Sequence, residues 1–526
     1  MKHASVISMF LVLFSACSQT VPQKSKDAEG RDQRGAAAES ITVSAAAPEI
    51  QGVAGAVGGY AKLSYAARNE MAAAVHEPQY KSVAEHGFIE AAKEAVTTFA
   101  IDVDRASYTN VRRFLSQNTL PPAAAVRIEE MLNYFAYRYP QPVDAHPFSI
   151  TTEVASCPWN AKTRLLRIGI QGRNLDEWKM AANNLVFLID VSGSMTPPER
   201  LPLIKSAFRV LVDRLRAEDR VSIVVYAGAS RVALPPTSGA DKTAIIQALD
   251  QLQAGGVTAG ASGIAMAYDA AQQAFIEGGN NRVILATDGD FNVGVTSHDD
   301  LLKMIEEKRK LGIALTTIGV GTDNYHDARM EMLADHGNGA YFYLDNLGEA
   351  TKVFKHELTG TLVTIAKDVK VQLEFDPNVV KSYRQVGYEN RALANEDFDN
   401  DEKDAGELGA GHSVTALYEV EMARPGRIGT LRLRYKQPNG DSSQLMTANI
   451  EDGGRSIYQA SADLQFAAAV AEFGMLLRKS EHAGTASFNE VLTLARAANS
   501  DPSREEFIRL VDTSRAISEG VSSRGE

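Results

Sequence analysis

Five apolar residues in a row, Leu185-Val-Phe-Leu-Ile189, run straight into Asp190-Val-Ser192-Gly-Ser194. An unbroken apolar run fits a strand buried on both faces, the situation inside a parallel sheet. Open α/β sheets place their ligands beyond the carboxyl ends of such strands. At that place this chain supplies one carboxylate and two hydroxyls, two residues apart, with Gly193 letting the backbone turn. Oxygen-only donors suit a hard cation such as Mg²⁺, and thiolate-seeking metals prefer other ligands. Alone, the same three residues would equally serve as helix caps or turn formers.

Two later segments add to them. Gly255-Gly-Val-Thr258 is a flexible turn carrying a hydroxyl, ahead of a helix with Ile264, Tyr268, Ala271 and Phe275 on its apolar face. Arg282-Val-Ile-Leu-Ala-Thr-Asp288 is a second buried strand ending in a carboxylate. In this order the three pieces resemble the von Willebrand factor A domain, whose metal-ion-dependent adhesion site is written D-x-S-x-S, then T, then D. The resemblance implies direct ligation by Ser192 and Ser194. It gives Thr258 a direct or water-mediated role, and Asp190 and Asp288 mostly water-mediated ones. It also implies a further coordination position open to a partner's carboxylate.

The surrounding pattern agrees. Residues 220–227, 314–320 and 341–344 are expected strands, with 231–234 as a short antiparallel edge. Pro197-Pro198 stand where a helix start tolerates proline, ahead of a buried face of Ile204, Phe208, Leu211 and Leu215. Strands alternating with helices over residues 183–360 predict an α/β fold with a doubly wound, mostly parallel sheet.

Residues 88–180 carry an expected strand at 98–104, helices at 107–115 and 126–137, and strands at 148–155 and 164–172. Asp102-Val-Asp104 sits before the first helix. One Asp is expected to cap it and the other to pair with Arg112 or Arg113. From Lys367 the pattern changes: Val369, Val371, Leu373 and Phe375 alternate with polar residues, as in a half-exposed antiparallel strand. With β character at 414–420 and 430–435 and helices at 463–479 and 505–516, residues 365–526 read as a separate α+β module. Asp397, Asp399 and Asp401 open like a calcium loop, but Glu402 stands where that loop needs Gly and Leu408 where it needs Glu, so a solvated acidic loop is expected. The stretches Phe99–Phe114 and Val126–Phe135 resemble the N-terminal extension of a family of bacterial A-domain lipoproteins, and residues 365–526 are similar to that family's C-terminal domain.

At the N-terminus, Lys2 and His3 precede the apolar residues 6–14, too few to span a bilayer and typical of a secretory signal. Leu13-Phe-Ser-Ala-Cys17 resembles a lipobox. That implies a signal over residues 1–17, lipidation at Cys17, and anchorage in the bacterial envelope. Ser18 implies the outer membrane, facing the periplasm. Residues 18–87 are Ala-, Gly- and Ser-rich and read as a flexible tether.

The net charge of −12, with no basic patch, argues against nucleic-acid binding. Two cysteines, Cys17 and Cys157, offer no zinc or redox spacing. No GxSxG, Walker or HExxH motif occurs, and near the expected ion only Asp290 and His326 could act as acid or base. The expectation is a non-enzymatic envelope lipoprotein that binds a partner protein's carboxylate through Mg²⁺, Mn²⁺ or Ca²⁺. The alternatives are a metal-assisted envelope hydrolase, or a structural lipoprotein whose ion stiffens loops.

Overall fold

The computed structural model describes residues 80 and 84–522, apart from 176–179, 257–259, 290–297, 322–326, 358–359, 361 and 439. Cys17, the signal and nearly all of the expected tether lie outside the described residues. In chain order, β1 (Ile89–Glu90) and β2 (Val96–Ala100) lead to α1 (Ala106–Ser116) and α2 (Ile128–Asn133). The long strands β3 (Phe148–Ser156) and β4 (Thr163–Gly172) follow. The central segment is β5 (Asn183–Asp190), α3 (Leu201–Val212), β6 (Arg220–Tyr226), β7 (Ser230–Ser238), α4 (Lys242–Asp250), α5 (Gly260–Gln273) and β8 (Asn280–Thr287). It continues through α6 (His298–Lys310), β9 (Ile313–Val320), α7 (Asp327–His336), β10 (Tyr341–Leu344) and α8 (Leu347–Lys352). The last segment has β11 (Thr364–Phe375), β12 (Val380–Val386), β13 (Ala392–Leu393), β14 (Gly406–Gly409), β15 (Ser413–Met422), β16 (Arg427–Lys436) and β17 (Ser443–Glu451). It closes with α9 (Ala462–Arg478), α10 (Phe488–Ala497) and α11 (Pro502–Ser522).

The central sheet has the order β10-β9-β8-β5-β6-β7, and all its pairs are parallel except β6 with β7. The apolar run in β5 is explained by its two faces. Leu185, Phe187 and Ile189 join one core with α3 and α4, while Val186 and Leu188 join another with α5, α6 and α7. The start of α3 differs from expectation. The helix opens at Leu201 with Pro202 in its first turn, and Pro197-Pro198 lie in the turn before it.

The two flanking segments, expected as separate modules, share both remaining sheets. One sheet runs β1-β12-β15-β4-β3, the other β13-β2-β11-β16-β17, and every pair in them is antiparallel. Leu166, Ile168, Ile170, Tyr418 and Val420 of the first face Phe99, Val371, Leu373, Phe375 and Leu433 of the second in one core. The outer face of the first sheet, through Leu165 and Leu417, is covered by α1, α2, α9, α10 and α11. Neither flanking segment could close its own sheets, because each would leave unpaired edges and an uncovered apolar face.

Two arginines, Arg112 buried and Arg391 half-buried, tie the three segments together. Arg112 of α1 grips Asp345 with two hydrogen bonds of 2.6 and 2.7 Å, and reaches Glu349 at 2.8 Å and Glu506 of α11 at 3.0 Å. Arg391 pairs with Asp102 and Asp104, each at 3.2 Å, and with Asp335 of α7 at 3.0 Å. The Asp102-Val-Asp104 pair therefore departs from its expected roles. Neither caps α1, and Arg391 replaces Arg112 or Arg113 as their partner. Asp102 instead accepts from the Asp104 amide and Asp104 from the Tyr341 amide. The acidic loop around Asp397–Asp401 is exposed over residues 399–404, as a solvated loop should be, and is held to the sheet at a few points. Lys370 donates to the carbonyls of Asp397 and Asn400, and Arg434 pairs with Asp399.

Candidate cation site at the strand ends

Parallel pairing sets β5 beside β8 with Ile189 opposite Ala286, so Asp190 and Asp288 emerge at the same end of neighbouring strands. Asp190 is fully buried. Its Oδ1 accepts from the Ser192 amide at 2.8 Å and its Oδ2 from the Thr287 hydroxyl at 3.0 Å. Burial pushes this carboxyl up to about 6 against those hydrogen bonds, with a smaller push from the Asp288 charge. Both oxygens are held by protein donors, which fixes the orientation of the carboxylate.

After Asp190 the chain makes one tight turn over residues 193–195, anchored by the fully buried Met195. The turn brings Ser192 Oγ and Ser194 Oγ to 3.0 Å from each other. Adjacent ligands of an octahedral ion with bonds of about 2.1 Å are about 3.0 Å apart, so the pair is spaced as two neighbouring ligands of Mg²⁺ would be. The turn is fixed from the side by the glycine pair expected from the sequence. Gly193 N donates to Gly256 O at 3.0 Å and Gly255 N to Val191 O at 2.8 Å. Gly256 has φ +89°, a conformation that favours glycine. The turn leading to Thr258 is thus seated on the serine loop, while Thr258 itself lies outside the described residues.

Asp288 follows the last residue of β8 and is fully buried. Its Oδ2 lies 2.8 Å from Arg200 Nη1, which also donates to the Ser194 carbonyl at 2.8 Å. One guanidinium nitrogen therefore joins the two strand ends. Arg200 was not singled out from the sequence, where an arginine after Pro197-Pro198 looks like surface charge. Its special position is signalled only by structure: Gly321, at φ +79°, lies so close that a β-carbon there would sit 2.5 Å from Arg200 Nε.

Asp190, Ser192, Ser194 and Asp288 thus lie together at one end of the central sheet. Among the described residues no three His, Cys, Asp or Glu side chains converge as a metal site, so a cation here depends on the hydroxyls. The proposed acid–base candidates Asp290 and His326 lie outside the described residues. Cys157 is buried, and burial pushes its thiol well up, away from reactivity.

Comparison with known proteins matches these segments one by one. Residues 74–167 match von Willebrand factor and residues 184–356 the von Willebrand factor type A domain. Residues 360–427 and 422–517 match the C-terminal domain of uncharacterized protein YfbK. Over 472 residues the chain is 42% identical to uncharacterized protein YfbK of Escherichia coli (strain K12), spanning 84% of this chain and 82% of that one. An uncharacterized protein of Synechocystis is 26% identical over 313 residues, spanning 57% of this chain and 73% of its own. A solved von Willebrand factor type A structure from Catenulispora acidiphila aligns with 71% of this chain and 91% of its own, at 17% identity and a TM-score of 0.41. The chain belongs to the YfbK family of bacterial proteins, in which a von Willebrand factor A domain is joined to a C-terminal domain of uncharacterised role.

Proposed function

We propose that this protein captures a partner protein in the bacterial envelope through a divalent cation held by its A domain. A domains as a class serve protein interaction and adhesion, and commonly bind a divalent metal at such a site. The observation that carries the reading is the meeting of the Ser192 and Ser194 hydroxyls with Asp190 and Asp288 at the ends of adjacent strands. In this assignment Ser192 and Ser194 hold Mg²⁺, Mn²⁺ or Ca²⁺ directly. Asp190 and Asp288 act through water, and Thr258 completes the set. A cation bound mostly by neutral hydroxyls supplies a Lewis-acidic position that a partner's Asp or Glu can fill, in a charge-assisted and orientation-dependent contact. Asp190 holds the serine loop in place through the Ser192 amide, and Thr287 fixes the Asp190 carboxylate from behind.

Lipidation at Cys17 would place the A domain at the membrane surface on its tether, at the outer membrane facing the periplasm. The test is crosslinking in intact cells. Wild type is expected to yield a captured protein that disappears with EDTA and with Ser192→Ala, while the circular dichroism of the variant is unchanged. Capture that survives both treatments contradicts the adhesion-site reading. Cys17→Ala is expected to release the protein from the membrane fraction, and retention there contradicts the anchor.

A further inference from the structure

The cation site contains a charge that works against a cation. Arg200 is 3% exposed and Asp288 fully buried, so their 2.8 Å contact is a buried ion pair. Such a pair is costly to bury, since both charges leave water. The arginine is held from several sides: by Asp288 Oδ2, by the Ser194 carbonyl, and by the close approach of Gly321, whose own carbonyl accepts from Tyr343 Oη at 2.7 Å. It is thus a fixed part of the site. Because Nη1 touches both the serine turn and Asp288, its positive charge stands within a few ångströms of where those groups converge.

The charge balance has a definite outcome. Among the described residues at these strand ends, Asp190 and Asp288 each bring one buried negative charge and Arg200 one buried positive charge. Without the arginine, two carboxylates would cancel a divalent ion. With it, one positive charge remains, in a place where burial weakens solvent screening. We propose that Arg200 sets the charge of the cation site: it cancels Asp288, lowers the affinity for the cation, and leaves the occupied site positive and so suited to an anionic partner group. The proposal rests on the cation reading above and deepens it. Arg200 is a charge-setting residue that acts through Asp288.

The obvious competitor is that Arg200 merely orients Asp288. The two roles separate when Mn²⁺ is titrated into the full-length protein and followed by electron paramagnetic resonance of the free ion. If Arg200 sets the charge, Arg200→Gln binds Mn²⁺ about tenfold or more tightly, the size of effect one nearby charge has on an ionic equilibrium. The charge-keeping variant Arg200→Lys leaves a positive charge beside Asp288 and is expected to bind within about threefold of wild type, and about tenfold tighter binding by it would overturn the proposal. Pure orientation predicts that Arg200→Gln binds as wild type or more weakly, which overturns the proposal. If Arg200→Gln does not fold, Arg200→Met decides, since it removes the charge but keeps the apolar stem: binding no tighter than wild type overturns the proposal. Wild type that takes up no Mn²⁺ sinks the cation reading itself, whereas wild type that binds with the variants out of order sinks only the role of Arg200.

Discussion

The A domain and the sandwich that carries it are assembled by different rules. In the A domain, strands and helices alternate along one continuous stretch and build their own two cores. In the sandwich, β4 pairs along its length with β15, and β2 with β11, partners separated by the whole A domain. The A domain is therefore an insertion between two halves that complete each other. A unit built from one continuous stretch sits on a support whose two sheets each need strands from both sides of the insertion. The difference teaches that changes at the strand ends of the A domain are expected to leave the support intact, whereas dividing the support is expected to unfold it.

The largest test divides the chain. Residues 183–357 alone are expected to unfold cooperatively in urea, with retained circular dichroism. Residues 362–526 alone lack β1, β2, β3 and β4 and are expected not to. Cooperative folding of the second piece breaks the comparison. Next comes the seam. Arg391→Ala leaves Asp102 and Asp104 buried without their cation and should destabilise the protein by about 3–5 kcal/mol, read from urea midpoints. A loss under about 1 kcal/mol would show that the segments do not depend on this contact.

A pH effect sharpens the same seam. Glu407, on β14 where it meets Asn338 of the A domain, is pushed up to about 8 by burial first and by the charges of Asp368 and Asp404. Its folded value is raised, so the unfolded chain loses this proton first, near its ordinary value of 4.5. The stability it contributes is full below that value and is lost as pH rises towards about 8. Glu407→Gln should therefore match wild type at pH 4 and exceed it in thermal midpoint at pH 8. Equal midpoints at both would contradict the assignment. The smallest effects are local and should ignore the division. Asn346 caps α8 in the A domain by accepting from the Glu349 amide, and Ser487 caps α10 beside the sandwich by accepting from the Glu490 amide. Replacing either with Ala should cost about 1 kcal/mol, and a large difference between them would mean capping is coupled to the wider fold.

What could be read from the residues follows the same division. The apolar run of β5, the periodic faces of α3 and α5, and the order of Asp190, Ser192, Ser194 and Asp288 are local signals, and the structure gathers these four residues. The glycine pair before Thr258 was also legible, since its turn bonds directly to the serine loop. The shared sheets were not, because strand periodicity tells which face is buried and not which strand lies alongside. For the same reason the sequence points Asp102 and Asp104 to nearby arginines, while their partner, Arg391, is far off in sequence. Strand β12, with Lys381 and Arg384 among its seven residues, hides its apolar face of Val380 and Tyr383, and Arg384 is neutralised by Glu419 on the neighbouring strand. Arg200 escaped notice because a charged residue beside a diproline gives no sign that it is buried against a distant carboxylate.

The central claim is that one divalent cation is held between Ser192 and Ser194. Crystals soaked in Mn²⁺ and measured for anomalous scattering test it most directly. The account predicts a single strong peak about 2.2 Å from both serine Oγ atoms, with Asp190 and Asp288 just beyond. A strong peak elsewhere, or none at the serines at saturating Mn²⁺, would contradict it.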